Sequence, residues 1–158
     1  MKLAFTGQRG VDLTSDLAWS LFRNVEHFIN KGCDCFLFGL CYDSDFYFAR
    51  AVLKHKETYP NIKLIGYIPH LEQDKLWTDA NKEQYRKLIE RCFETIVVSK
   101  EYTETCYQLR NIQMVNNADY LLSIYDCKSK GGTHQTIEYA KTKDNIKEIY
   151  IIKNDKSR

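Results

Sequence analysis

The chain has 158 residues, 44% of them hydrophobic, enough for one compact domain (1–158) with a sizeable core rather than two small ones. Its 23 Lys and Arg against 21 Asp and Glu leave a formal net charge of +2 with the signs interleaved. That balance argues against a nucleic-acid or anionic-membrane surface and for a small-molecule partner. Nothing approaches the roughly 18 consecutive apolar residues that a membrane span needs. Six cysteines, at positions 33, 35, 41, 92, 106 and 127, include no CxxC pair, and the chain opens MKLAFTG without a charged leader and apolar cleavage region. Free thiols in a reducing cytoplasm are the expectation. Cys33 and Cys35 fall in the strand-like run CDCFLF, with no second pair at zinc spacing, so buried thiols are expected there and no metal.

Short apolar runs alternate with segments of helical period from end to end, with no low-complexity linker and no internal repeat. LAFT (3–6) is the first expected strand. Leu17, Leu21, Phe22, Val25, Phe28 and Ile29 then recur at three- and four-residue steps behind the helix-starting candidates Thr14 and Ser15. CFLFG (35–39) is the second strand. Phe48, Val52 and Leu53 begin the stripe of the next helix, which Tyr59 and Pro60 end, and IKLIGYIP (62–69) is the third strand. Tyr85, Leu88, Ile89 and Cys92 mark another helix. TIVVS (95–99) is the fourth strand, Cys106 to Asn117 a helix, DYLLSIY (119–125) the fifth strand, Thr133 to Thr142 a helix and EIYIIK (148–153) the last strand. Strands alternating with helices of this length predict an α/β fold, Rossmann-like and doubly wound, with a mainly parallel sheet covered by helices on both faces.

Ligands of such sheets bind beyond the carboxyl ends of the strands, near the point where strand order reverses. Five loops fall there: TGQRG (6–10), GLCYDSD (39–45), PHLEQ (69–73), SKEYTET (99–105) and YDCKSKGGT (125–133). Gly7 directly follows the first strand, where a missing side chain lets backbone approach a bound group, and Arg9 offers a planar, two-pronged donor to phosphate. An ordinary turn with a solvated arginine explains the same residues. Gly131 and Gly132 stand between a strand and a helix, with the Thr133 hydroxyl placed to cap that helix. A helix start bares unpaired N–H groups and about half a positive charge, so glycines there leave room for a phosphate. A flexible turn is the alternative. Met114 and Val115 are expected in the core, while Arg110, on the same helix, reaches either solvent or a ligand at the end of the fifth strand. Asp43 and Asp45 flank Ser44 at a helix start, where carboxylates serve as caps. Glu138, one and a half turns into its helix, reads by default as a solvated carboxylate.

In their order along the chain, FTGQRG, AVL followed by YPNIKLIGYIP, EQDKLW, VVSKEYT, LRNIQMVNNADYLLSIYD and KGGT resemble the YpsA-like family of the SLOG superfamily, the group named for the DprA (SMF) and LOG proteins. The resemblance runs from Lys2 to about Ile152. Thr6, Gly7 and Arg9 match the family's TGHRP, with Gln8 and Gly10 departing from it. GLCYDSD keeps Gly39 and Asp45 of a GxAxGxD pattern and puts Asp43 where the second glycine stands, so a ligand is either shifted or offers a donor such as a ribose hydroxyl to that carboxylate. Gln73 and Trp77 match the loop after the third strand. Arg110, Asn111, Met114 and Val115 match RNxxMV, and Gly131, Gly132 and Thr133 match GGT.

The resemblance implies a cytoplasmic pocket for a nucleotide or nucleotide-derived signal, with no cofactor. Thr6, Gly7, Gln8, Arg9, Gly39, Asp43, Asp45, Arg110, Asn111, Gly131, Gly132 and Thr133 would build it. Binding without turnover suits a sensor, or a protein that sequesters a signal as some phage proteins do; the resemblance also implies a homo-oligomer. One alternative is an N-glycosidase like the LOG phosphoribohydrolases, acting on a nucleotide or NAD-like substrate through Glu138 and Arg110, although His134 and Gln135 replace the GT of PGGxGTxxE. Another is a cell-division or regulatory interaction module with a vestigial pocket.

Overall fold

In a computed structural model, residues 1–154 are described. The elements are β1 (Lys2–Gly7), α1 (Ser15–Asn30), β2 (Cys35–Phe38), α2 (Ser44–Lys56), β3 (Lys63–Ile68), α3 (Asp79–Arg91), β4 (Glu94–Val97), α4 (Cys106–Asn116), β5 (Tyr120–Tyr125), α5 (Gly132–Lys141) and β6 (Glu148–Lys153). The strands form one sheet in the order β4-β3-β2-β1-β5-β6, every neighbouring pair parallel. The expected α/β alternation is therefore the observed one, with ends displaced by a few residues. Among the described residues no helix is long and apolar enough to cross a membrane.

Alternation along the strands decides which helices cover which face. Successive side chains of a strand point to opposite sides, so Leu3 and Phe5 enter one core while Ala4 enters the other. The first core takes Leu21, Val25 and Phe28 of α1, Phe48 and Val52 of α2, and Tyr85 and Leu88 of α3. Phe5 stacks on Phe48 with ring centroids 4.4 Å apart, and the His55 ring of α2 lies on Phe22 of α1 and donates to its carbonyl at 2.7 Å. The second core takes Met114 and Val115 of α4 and Ile137 and Ala140 of α5. At the start of α1, Thr14 accepts from Leu17 N–H, as its place in the sequence predicts.

Two features of the fold depend on contacts between distant segments. The apolar run TIVVS does not report its place in the sheet: β4 is the outermost strand, with Glu94, Thr95 and Val97 exposed. Strand order is set by contacts far apart in the chain, which a local apolar run cannot report. α2 starts at Ser44, where the sequence places a helix start, and there the Ser44 hydroxyl donates to Gln8 O at 2.5 Å and Tyr47 OH donates to Val11 O at 2.7 Å. These bonds lash the first turn of α2 to the loop after β1.

The strand order runs β1 to β4 in one direction, and α4 then carries the chain back so that β5 pairs with β1 on its free side. Thr6 lies opposite Ser123 and Gly7 opposite Ile124. The reversal therefore falls between the carboxyl ends of β1 and β5, the place where sheets of this kind leave a crevice.

Gly7 sits at the end of β1, and a Cβ there would run into the Ser44 side chain. Its missing side chain makes room for α2, a packing reason that the sequence did not show. Replacing Gly7 with Ala should cost about 1–3 kcal/mol, as overpacking does, and lower the thermal midpoint by several degrees. Calorimetry of the variant checks this, and an unchanged midpoint would contradict the packing account.

Candidate functional site

A cleft of about 440 Å³ opens at the strand-order reversal. Thr6, Gly7, Gln8, Arg9, Gly39, Asp45, Arg110, Asn111, Gly131, Gly132 and Thr133 all line it, so the structure brings together most of the residues picked out in the sequence. Asp43 and Glu138 lie outside its lining. Phe5, Cys41, Tyr42, Tyr107, Met114, Ser129 and His134 complete it and were not anticipated as wall residues. For two of these a signal was present: Tyr107, Arg110, Asn111 and Met114 follow the i, i+3, i+4, i+7 spacing that puts side chains on one helix face.

Arg110 is the best-buried cation of the cleft, 7% exposed. Its Nη1 donates to Gly39 O at 2.6 Å and its Nε to Asn111 Oδ1 at 2.8 Å, while its Cζ lies 5.6 Å from the centre of the Tyr107 ring. Both hydrogen-bond acceptors are neutral. Among the described residues no carboxylate forms an ion pair with this guanidinium. Gly39 has no alternative here, because a Cβ on it would stand 2.5 Å from Arg110 Nη1 and 2.9 Å from Asp45 Oδ2. Arg9 lies near the cleft mouth, exposed, with its Cζ 5.2 Å from the centre of the Tyr42 ring.

Asp45 is buried beside this arginine, where its Oδ2 accepts from Cys41 N at 3.1 Å. It does not cap α2. Burial pushes its carboxyl up to about 6 against the opposing pull of the Arg110 and Arg9 charges and of backbone donors. Burial likewise holds the Cys41 thiol above its ordinary value, with Asp45 adding to the effect, so Cys41 remains a neutral wall residue. Asp43 does not cap either. It has φ 68°, a backbone angle that favours glycine, and its Oδ2 accepts from Gly10 N at 2.8 Å, tying the β1 loop to α2.

The β5 loop is stiffened from within. Asp126 accepts from Lys128 N and Ser129 N at 2.8 and 2.9 Å and from the Ser129 hydroxyl at 2.6 Å, and these bonds, the Ser129 side chain foremost, hold its carboxyl well below the usual range. Gln8 Oε1 accepts from Asp126 N at 2.9 Å, so a cleft residue bridges the two loops at the reversal. Tyr125 OH donates to Ser129 O at 2.6 Å. Within this loop Cys127 is exposed, with φ 64°.

At the start of α5 the expected cap is absent. Gly131 occupies the N-cap position, no side chain caps it, and Thr133 lies inside the first turn, buried. The helix begins one residue earlier than the sequence suggests, which moves Thr133 past the capping position. Uncapped N–H groups and the positive end of the helix dipole therefore border the cleft. A Cβ on either Gly131 or Gly132 would meet nothing within 4 Å. Glu138 sits on the exposed side of α5 and pairs with Lys141 at 2.9 Å. Among the described residues no group of three or more His, Cys, Asp and Glu is placed to hold a metal ion.

Two outcomes follow from this geometry. Asp45 takes up its proton near pH 6 when folded but only near the ordinary carboxylate value when unfolded. A raised carboxyl pKa favours the fold at low pH, and that advantage is lost as pH rises through about 6. Wild type should therefore gain stability relative to Asp45→Asn between pH 7.5 and pH 4.5 in urea titrations, and a difference independent of pH would refute the assignment. Gly131→Ala should cost no more than about 1 kcal/mol of stability in the same titrations, the difference between Gly and Ala at an N-cap, and a larger loss would mean that Gly131 is packed against protein.

Residues 5–157 match the family model YpsA, described as the YspA SLOG family. A UPF0398 protein of Bacillus cereus (strain G9842) is 25% identical over 133 residues, which is 83% of this chain and 72% of that protein. UPF0398 proteins of Bacillus cereus (strain B4264) and Bacillus thuringiensis (strain Al Hakam) are similar at the same identity and over the same shares. With a family model covering nearly the whole chain, and with Gly39, Arg110 and the Gly131–Gly132 pair assembled at one crevice, this protein belongs to the YpsA family of SLOG proteins.

Proposed function

We propose that the protein binds a small, nucleotide-like anion in the cleft, as a sensor or a sequestering protein. The observation that carries this reading is Arg110: a buried guanidinium, hydrogen-bonded to neutral groups, in the same cleft as an uncapped helix N-terminus. A buried charge is stable only when compensated, and among the described residues Asp45, the buried carboxyl beside it, makes no ion pair with it. A phosphate would supply the missing negative charge. The open space in front of Gly131 and Gly132 is where a phosphate could reach backbone N–H groups. Arg9, at the cleft mouth, adds a second planar donor.

Turnover has less support. The carboxylate that an N-glycosidase reading assigns to the chemistry, Glu138, is exposed and paired with Lys141 outside the cleft. The test is isothermal titration of the protein with AMP and a panel of other nucleoside monophosphates, followed by chromatography of the recovered ligand. Intact ligand is expected. Arg110→Ala should weaken binding by the roughly 1.5–3 kcal/mol of a hydrogen bond to a charged group, about 10- to 150-fold. Equal affinity in wild type and variant would sink the assignment, and free base in the filtrate would replace binding with hydrolysis.

A further inference from the structure

A second hollow, about 670 Å³, adjoins the cleft, and Arg9, Tyr42 and Tyr107 line both. Its other walls come from the loops after β3 and β4, which the cleft itself does not use. Trp77 meets Tyr42 edge to face, centroids 5.0 Å apart and planes at 89°. The buried His70 ring stands 5.5 Å from Tyr102 and 5.7 Å from Tyr107, steeply inclined to both, and its Nε2 lies 3.3 Å from Tyr107 OH. Gln73 fixes the loop after β3 by donating from Nε2 to Leu40 O at 3.1 Å. The aromatic wall is thus anchored from beneath. Its rim is left uncovered: Tyr102 is 63% exposed and Leu76 93%.

An anchored aromatic wall with an open rim differs from a core cluster, whose rings would be covered by their neighbours. Its composition suits a flat, partly polar group: rings to stack on, with the Lys100 ammonium and the Glu101 carboxylate also in the lining to meet polar edges. The two hollows are unlike each other. The cleft offers arginines and helix N–H groups, whereas its neighbour offers rings, and the wall between them is two tyrosines and a guanidinium that serve either side.

We propose that this second hollow receives the planar base of the same ligand whose anionic part occupies the cleft, so that a nucleotide is held at both ends across the wall of Arg9, Tyr42 and Tyr107. The proposal rests on the anion-binding reading of the cleft and adds to it a subsite with its own residues. Selection among nucleotides then resides in the loops after β3 and β4.

The chain has two tryptophans, and Trp19 is an exposed residue of α1, so Trp19→Phe leaves Trp77 as the only indole reporter. This variant is titrated with AMP and with ribose 5-phosphate, which lacks the base, following Trp77 emission and, in parallel, heat of binding. AMP should change the emission and bind about 10-fold tighter than ribose 5-phosphate, the size of one stacked base. Adding Tyr102→Ala should bring AMP towards the affinity of ribose 5-phosphate and leave the latter unchanged. Tyr102 is exposed, so its removal does not threaten the fold. Equal affinities for the two probes, with no effect of Tyr102→Ala, would overturn the base subsite and leave the anion site standing. Binding of neither probe would overturn both.

Discussion

The hydrogen bond from Arg110 to the carbonyl of Gly39 is the contact on which the crevice depends. It joins α4, on one face of the sheet, to the end of β2, so the helix that returns the chain across the sheet is anchored where β2 ends. The arrangement demands that position 39 have no side chain, since any Cβ would displace the guanidinium. It also forces Asp45 to live beside a buried cation, and the two charges temper one another without an ion pair. Removing either one would leave the other buried with less compensation, the costly state for a charge out of water.

The glycines around the crevice serve opposite ends. Gly7 and Gly39 lack side chains because protein atoms already fill the space, and Gly66 makes room in the same way for the side chain of Leu40, a residue with φ 55°. Those positions encode packing, although Gly7 and Gly39 also line the cleft. Gly131 and Gly132 adjoin nothing, and neither has the positive φ that would require glycine. Space left empty beside an uncapped helix start has no structural return, which is why it bears on ligand binding.

Much of this was legible in the sequence, and the failures share a physical cause. Apolar runs and helical stripes located all six described strands, and Thr14 announced its helix, because those signals are local. Gly39 and the paired glycine could be placed beyond strand ends, and Arg110 on the helix before the fifth strand, from the sequence alone. What the sequence hid was relative placement: that Gly7 faces Ser44, that Asp43 turns to Gly10 instead of capping its helix, and that α5 starts at Gly132 so that Thr133 falls inside the first turn. Glu138 is the solvated carboxylate of its default reading, and the LOG-like alternative that gave it the chemistry met the same limit. A motif fixes a residue's number along a helix, whereas the neighbouring elements decide which side of that helix is covered, and Glu138 falls on the uncovered side with Lys141. The aromatic hollow is the extreme case, since His70, Trp77, Tyr102 and Tyr107 come from separate segments that only the sheet aligns.

Cysteine placement offers a practical handle. Of the six thiols Cys127 alone is exposed; the others are wholly or partly covered, and burial raises the pKa of Cys33 and Cys92 to about 11 and about 12. A maleimide dye would therefore react first at one site, in the loop that Asp126 stiffens and that leads into Gly131. The wild-type chain thus carries its own attachment point for a fluorophore next to the crevice, and occupancy could be followed optically without engineering a new cysteine.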